Sequence, residues 1–434
     1  IWNLDLRAMH HDESLHAYYA WNLYVGNGYN HNPMLHGPFQ IEATAVLFSV
    51  FGDNDLTARL LYAVLGTVLV GLPYFLRYRL GSLGAIFVSS MLTVSPSMLY
   101  FSRFARNDII MALWTLGLVT CIWRYIDEGK RSYLYIASAI LALAFATKET
   151  AYILTFTLGL CLGLLILAQN WAITSKNIPE CRTCGDKNIS YSHYCKKGND
   201  TYIKPQKHFS HILPLMTTVR IILWIWRIGR RSVRIPTYSR PTHLLVLLFT
   251  LSLPLGAALF SILQNTYILK WSGLVLSSPI GTSSPTGSAA RGGILIAALT
   301  VSALILLSTR LGLKWNRSVW WRCAMIFWVI WVLLYSTFFT NMSGIGSGAW
   351  QSLGYWLMQQ DVARGAQPWY YYLVITPTYE FLPLILGVAG SIYYIVRQDS
   401  FGRFLVVWAS TSFLIYTMAS EKMPWLLVNI SLPL

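Results

Sequence analysis

Charge is scarce in this chain. Asp, Glu, Lys and Arg together make up 12% of its 434 residues, about half the share in a soluble domain. A soluble globular protein is therefore a poor description. Several motifs are also missing. No HExxH pair is present: in HHDESLH the histidines flank Asp12 and Glu13 instead of lying one turn apart around a glutamate, which argues against a metalloprotease. No recognition helix or stacking platform accompanies the +16 formal charge, so nucleic acid is not an expected partner. No signal-peptide pattern opens the chain. It begins at Ile1 and ends inside an apolar run at Leu434, and further spanning helices are expected before and after these residues.

Apolar sequence fills the space that charge leaves. Hydrophobic residues reach 55%, mean hydropathy is +0.48, and there are 18 Trp, 26 Tyr and 19 Phe. Runs long enough to cross a bilayer are expected near 57–76, 80–100, 107–125, 132–147, 149–169, 242–262, 293–309, 319–337, 378–396 and 402–418. The reading is an all-α polytopic membrane protein with about 10–12 spanning helices, the stretch 39–51 being too short to span and therefore an interfacial or partly embedded helix. The run 211–226 reads either as a surface helix or as part of a buried hairpin.

Basic residues set the expected orientation. Short loops carry Arg77 and Arg79; Arg124, Lys130 and Arg131; Arg310, Lys314 and Arg317; Arg397 and Arg403. With Lys176, Arg182, Lys187, Lys196, Lys197, Lys204, Lys207, Arg227, Arg230, Arg231, Arg234 and Arg240 of 170–241, and with 211–226 on the membrane surface, 22 of the 33 Lys and Arg fall on one side, which the positive-inside bias makes cytoplasmic. The chain then divides into an N-terminal transmembrane module (1–169, with outer loop 1–56), a cytoplasmic Cys/Lys/Arg-rich insert with its surface helix (170–241) and a C-terminal transmembrane module (242–434, with outer loop 338–377). The location expected is the inner (plasma) membrane, with the active site on the non-cytoplasmic side.

On that outer side lie four charged clusters. Charge at a membrane boundary usually faces partners, water or substrate. Asp12 and Glu13 sit among His10, His11 and His16; a carboxylate here can take a proton from a hydroxyl or bind a divalent cation (Mg or Mn) together with Asp108. The plainer reading is a polar loop capping the next helix. In FSRFARND, Arg106 suits a phosphate, and Asp108 either supports it or caps the following helix. In ATKET, Lys148 beside Glu149 is a phosphate contact or a snorkelling lysine. In SEKMPW, Glu421 and Lys422 precede a Pro–Trp pair, with Lys422 a phosphate contact or an interface anchor. Trp369 and Tyr370, in QPWYYY, together with His11, His16 and Glu421, are candidates for acceptor or sugar contact, although an interfacial aromatic belt explains the aromatics equally well.

The insert carries Cys181, Cys184 and Cys195, with His193 two residues before the last. CxxC and a third Cys resemble part of a zinc ribbon, with Gly198 where a fourth ligand is expected and His193 as the substitute. Three free thiols in a reducing compartment are the alternative. Either way the insert is expected to be structural.

The chain resembles the dolichyl-phosphate-mannose–protein mannosyltransferase superfamily, of glycosyltransferase type C fold, and within it the Agl23-like, flippase activity-associated proteins. The stretches carrying the resemblance are HHDESLHAYYAWNLYVGNGYNHNPMLHGPF, FGDNDLTARLL, SPSMLYFSRFARNDIIMALW, LAFATKETAYI, RGAQPWYYY and EKMPWLLVNISLPL. The resemblance implies a membrane glycosyltransferase that takes a sugar from a polyprenyl-phosphate donor to an acceptor hydroxyl on an unknown glycan, lipid or protein. The catalytic carboxylate would be Asp12, with Glu13 beside it and Asp108 as the second acidic position; Arg106, Lys148 and Lys422 would hold the donor phosphate. A non-enzymatic lipid-linked sugar flippase, or a partner of one, is the competing reading.

Overall fold

A computed structural model describes residues 3–175, 193–194, 201–202, 239–266, 273–360, 362, 367–397 and 399–434. Most of the 170–241 insert, including Cys181, Cys184 and Cys195, lies outside them. Of the insert, the backbone of His193–Tyr194 pairs antiparallel with Thr201–Tyr202.

The described chain is helical: α1 (His11–Tyr24), α2 (Phe39–Phe51), α3 (Asp55–Gly71), α4 (Arg77–Val94), α5 (Pro96–Phe101), α6 (Asp108–Glu128), α7 (Ser132–Phe145), α8 (Thr150–Ser175), α9 (Arg240–Ser252), α10 (Gly293–Tyr335), α11 (Ser352–Gln359), α12 (Tyr371–Tyr379), α13 (Phe381–Arg397) and α14 (Ser400–Met418). Among the described residues, six stretches are long and apolar enough to cross a membrane, or seven if the bent pair α12–α13 is one span. The protein is a multi-pass membrane protein.

The expected 10–12 spans and these six differ for an identifiable reason. The stretch Asp55–Val94 is 40 residues and Gly293–Tyr335 is 43, so each as a straight helix would run about 60 Å, twice the ~30 Å hydrocarbon core. Both fold back instead. Gly81, at φ 74°, takes a conformation open to glycine, and the Ser89 hydroxyl then donates to the Val70 carbonyl at 2.8 Å. In α10 the helix breaks at Asn316; beyond the break Trp320 Nε1 donates to Thr250 Oγ1 at 3.0 Å, while Ser308, before it, reaches the Thr250 carbonyl. Each stretch is thus a hairpin holding two of the apolar runs read from the sequence. α2 and α7 are the shorter apolar helices, and α12 and α13 meet at 103°. Glu380 sits buried at that bend, accepting from the Ser95 hydroxyl and the Ser97 N–H.

α6 lies at the centre. From Ile109 to Val119 nearly every side chain is buried, and at its far end Trp123 packs edge-on against Phe401 and Phe404.

The two ends of the bundle differ in chemistry. At one, Arg79 pairs with Asp127, Arg124 and Lys130 with Glu128, and Arg240 caps the carbonyls of Ile126 and Asp127. These are the loops read as basic. At the other end the long loops meet. Asn341 Nδ2 donates to the Tyr29 carbonyl, His31 Nδ1 lies 2.7 Å from Ser347 Oγ, and Gln360 accepts from Ser420 N–H. The segments read as outer share one end of the molecule.

Candidate functional site

The local sequence places the first cluster. His10 caps α1: its ring accepts from Asp12 N–H at 3.2 Å, and Glu13 accepts in return from His10 N–H at 3.0 Å. This is a capping box with histidine in the Ser/Thr place. It turns Glu13 inward and leaves Asp12 half-buried on the next face.

Glu13 is fully committed. Arg59, itself completely buried, grips it with Nε at 2.9 Å and Nη2 at 3.1 Å; Arg7 adds 2.8 Å, and Ala105 N–H 2.9 Å. Burial raises its pKa, but the Arg59 and backbone hydrogen bonds outweigh that and hold the carboxyl below its usual range. Glu13 ties α1 and α3 to the loop before α6. We expect Arg59→Met to lower stability by about 3–5 kcal/mol, because it leaves a buried carboxylate short of its main partner. Thermal unfolding in detergent measures this, and an unchanged midpoint contradicts it.

Asp12 instead pairs with Arg106 Nη1. Arg106 sits over the Trp425 ring, its guanidinium carbon 3.5 Å from the ring centroid, a close cation–π contact. Its Nε is 3.5 Å from Asp108 Oδ2, and neither atom has a hydrogen-bond partner. Asp108 Oδ1 accepts from Lys148 Nζ at 2.7 Å. The result is an alternating chain, Asp12–Arg106–Asp108–Lys148, drawn from α1, the start of α6 and the α7–α8 turn. Burial pushes the Lys148 ammonium below its ordinary pKa against the pull of Asp108.

A small cleft opens beside this chain, lined by Arg106, Lys148, His36, Glu149, Glu421 and Trp425 among others. Tyr416, Trp356 and Gln360 contribute from the C-terminal half. The N-terminal loop reaches it through a backbone splice: Gly37 N–H donates to the Thr147 carbonyl at 3.1 Å and Phe39 N–H to the Ala146 carbonyl at 2.9 Å. A Cβ on Gly37 would stand 2.1 Å from the Ala146 oxygen, so only glycine permits this approach.

Of the residues singled out from sequence, Arg106, Lys148 and Glu421 line the cleft, and Asp12 and Asp108 join it through Arg106 and Lys148. His16 is buried with Nδ1 3.2 Å from the Ala105 carbonyl, and burial lowers its pKa to about 3. His11 is exposed. Lys422 donates to its neighbour's carbonyl, Ala419, at 2.6 Å, and the cleft lining does not include it. Trp369 and Tyr370 are exposed, at 69% and 47%, away from that lining. The sequence reading missed Arg59 and His36. Arg59 had a signal, a lone arginine in the apolar run that begins at Leu56.

Among the described residues no group of three or more His, Cys, Asp or Glu side chains is arranged to hold a metal. Glu13 is taken up by Arg59, Arg7 and backbone N–H groups, Asp12 pairs with Arg106, and Asp108 holds Lys148 through Oδ1 while its Oδ2 faces Arg106 Nε, so a hard cation, which needs several oxygen ligands, would compete with Arg106 for Asp12 and Asp108.

A protein-family model described as dolichyl-phosphate-mannose-protein mannosyltransferase matches residues 36–181. That segment contains Arg106, Asp108 and Lys148. Two crystal structures of ArnT from Cupriavidus metallidurans, in the apo state and bound to undecaprenyl phosphate, each align at 14% identity and TM-score 0.33 over 99% of this chain, covering 73% and 74% of theirs. No curated protein matches the chain.

Proposed function

We propose that this protein is a membrane glycosyltransferase of type C fold that moves a sugar from a polyprenyl-phosphate donor to an acceptor hydroxyl at the non-cytoplasmic face of the plasma membrane. The observation that carries this reading is the Asp12–Arg106–Asp108–Lys148 chain beside an aromatic-lined cleft at the loop end of the bundle. The family match over 36–181 supports it.

The chemistry follows from the charges. A guanidinium and an ammonium facing one cleft suit a phosphate that enters sideways from the bilayer, and no nucleotide loop is needed. Donor phosphate competes with Asp12 for Arg106, so donor binding frees the carboxylate. Asp12 then takes the proton of the acceptor hydroxyl. The acceptor oxygen bonds to the anomeric carbon as the bond from that carbon to the phosphate oxygen breaks, with inversion. Arg106 and Lys148 stabilise the charge gathering on the departing phosphate. Transfer of label from a panel of radiolabelled polyprenyl-phosphate sugars tests the reading; transport of such lipids with no glycosidic bond formed would replace it with a flippase.

Orientation has its own test. With cysteine probes at Asn30 and Asp200, a membrane-impermeant thiol reagent on intact cells is expected to modify the first and spare the second. The reverse pattern would place the cleft on the cytoplasmic side and overturn the location of the reaction.

A further inference from the structure

The cleft contains a second hydrogen-bonded pair that the mechanism above does not use. His36 Nδ1 lies 2.6 Å from Glu149 Oε2, and both residues line the cleft with Arg106 and Lys148. The two are 113 positions apart in sequence, and the fold holds them together at some conformational cost. His36 sits at φ 66° and ψ −150°, a left-handed conformation uncommon for a residue with a Cβ, and such backbones persist where the surroundings fix them. Here the surroundings do so twice. The Gly37–Thr147 and Phe39–Ala146 bonds bind the loop to the turn that carries Glu149, and the His36 carbonyl lies 3.1 Å from His31 Nε2. His36 Nε2 has no hydrogen-bond partner among the described residues.

We infer that His36 and Glu149 form the acid of the reaction, delivering a proton to the departing polyprenyl phosphate from the side of the cleft that Arg106 and Lys148 occupy. The inference rests on the transferase reading. The donor is a phosphodiester with one charge; the leaving group departs with two unless it is protonated, and a phosphate monoester holds its second proton up to about pH 6. As the anomeric carbon–oxygen bond breaks, a phosphate oxygen takes the proton the pair shares. Asp12 meanwhile gains the acceptor's proton. The pair ends one proton short and Asp12 one proton richer, so a proton passing through water from Asp12 to the pair restores both. No oxidant or further reactant is needed.

The electrostatics suit an acid. Burial holds the Glu149 carboxyl up at about 7, against the nearby Lys148 and His31, while burial, Lys148 and Arg106 hold the His36 ring down at about 3, with Glu421 and Asp108 acting the other way. The pair therefore keeps its extra proton below about pH 7 and loses it as pH rises through that value, where transfer should fall.

Two donors that differ in leaving group test this. On a polyprenyl-monophosphate sugar, Glu149→Gln should reduce turnover about 100-fold or more and abolish the alkaline fall in rate. On the matching phosphorothioate, with sulfur in place of a non-bridging phosphate oxygen and therefore a less basic leaving group, the loss should be under 10-fold. Glu149→Asp should restore part of the rate, and binding of polyprenyl phosphate by every variant should stay within a few-fold, which separates this role from misfolding. Equal losses on both donors, or an unchanged pH profile, would overturn the assignment while leaving the transferase intact. A wild-type protein that transfers from neither donor would overturn both.

Discussion

Asp12→Asn is expected to lower transfer by roughly 100- to 10,000-fold, the range for loss of a general base, while leaving the protein folded and still able to bind donor. The substitution keeps size and hydrogen-bonding shape and removes only the charge. Asp12 is the carboxylate in this cluster with a single strong partner, Arg106; Glu13 and Asp108 are buried and tied elsewhere. Arg106 retains its contact with Trp425 and its neighbour Asp108 in the variant, so the phosphate site should survive. Glu13→Gln has a different signature: its effect should appear first in thermal stability, since the side chain's work is to hold Arg59. Turnover, donor affinity and unfolding midpoint of the two variants separate these roles. Near-normal turnover by Asp12→Asn would remove it as the base.

Arg106→Gln is expected to cost roughly 100- to 1,000-fold in turnover, the scale for removing one preorganised donor from a developing negative charge, and to weaken donor binding as well. Arg106 connects both halves of the site: it pairs with Asp12, approaches Asp108 and sits over Trp425. Arg106→Lys keeps the charge but loses the flat, forked group that Trp425 supports, so it should recover only part of the rate. Turnover equal to wild type in the lysine variant would show that charge alone is required there. Lys148 differs, because its ammonium is buried against Asp108. Removing it leaves Asp108 without its closest partner, so its effects on rate and on stability should appear together.

Much of the membrane architecture was legible because apolar length is a strong one-dimensional signal. The runs near 57–76 and 80–100, and those near 293–309 and 319–337, are the arms of the two hairpins, and Arg77 and Arg79 mark the turn of the first. Collection of the outer loops at one end followed from the same alternation. Less legible was which polar residue did what. Asp12 and Glu13 are adjacent and chemically alike, yet a helix cap turns one towards buried arginines and leaves the other beside the cleft. That division depends on Arg59, 46 positions away from Glu13, and no local pattern reports it. His36 was hidden for a similar reason: its importance comes from Gly37 meeting Ala146 and Thr147, a contact between distant backbones. Lys422 and Arg106 both read as basic residues near a membrane boundary, but one turns back to the Ala419 carbonyl while the other faces the cleft. Trp425, which the sequence shows only as the second half of a Pro–Trp pair, is the ring that Arg106 sits over.

A glycosidic bond made in this cleft from a lipid-phosphate donor yields two products, the glycosylated acceptor and free polyprenyl phosphate. The most direct measurement incubates the full-length protein, reconstituted in lipid nanodiscs, with radiolabelled polyprenyl-phosphate sugars and hydroxyl acceptors, and follows label from the lipid to the acceptor alongside release of polyprenyl phosphate. One polyprenyl phosphate should be released per sugar transferred, with inverted configuration at the anomeric carbon, and both products should be lost with Asp12→Asn. Label that crosses the bilayer still attached to its lipid in wild type and Asp12→Asn alike, with no acceptor product from any pair, would contradict transfer in this cleft.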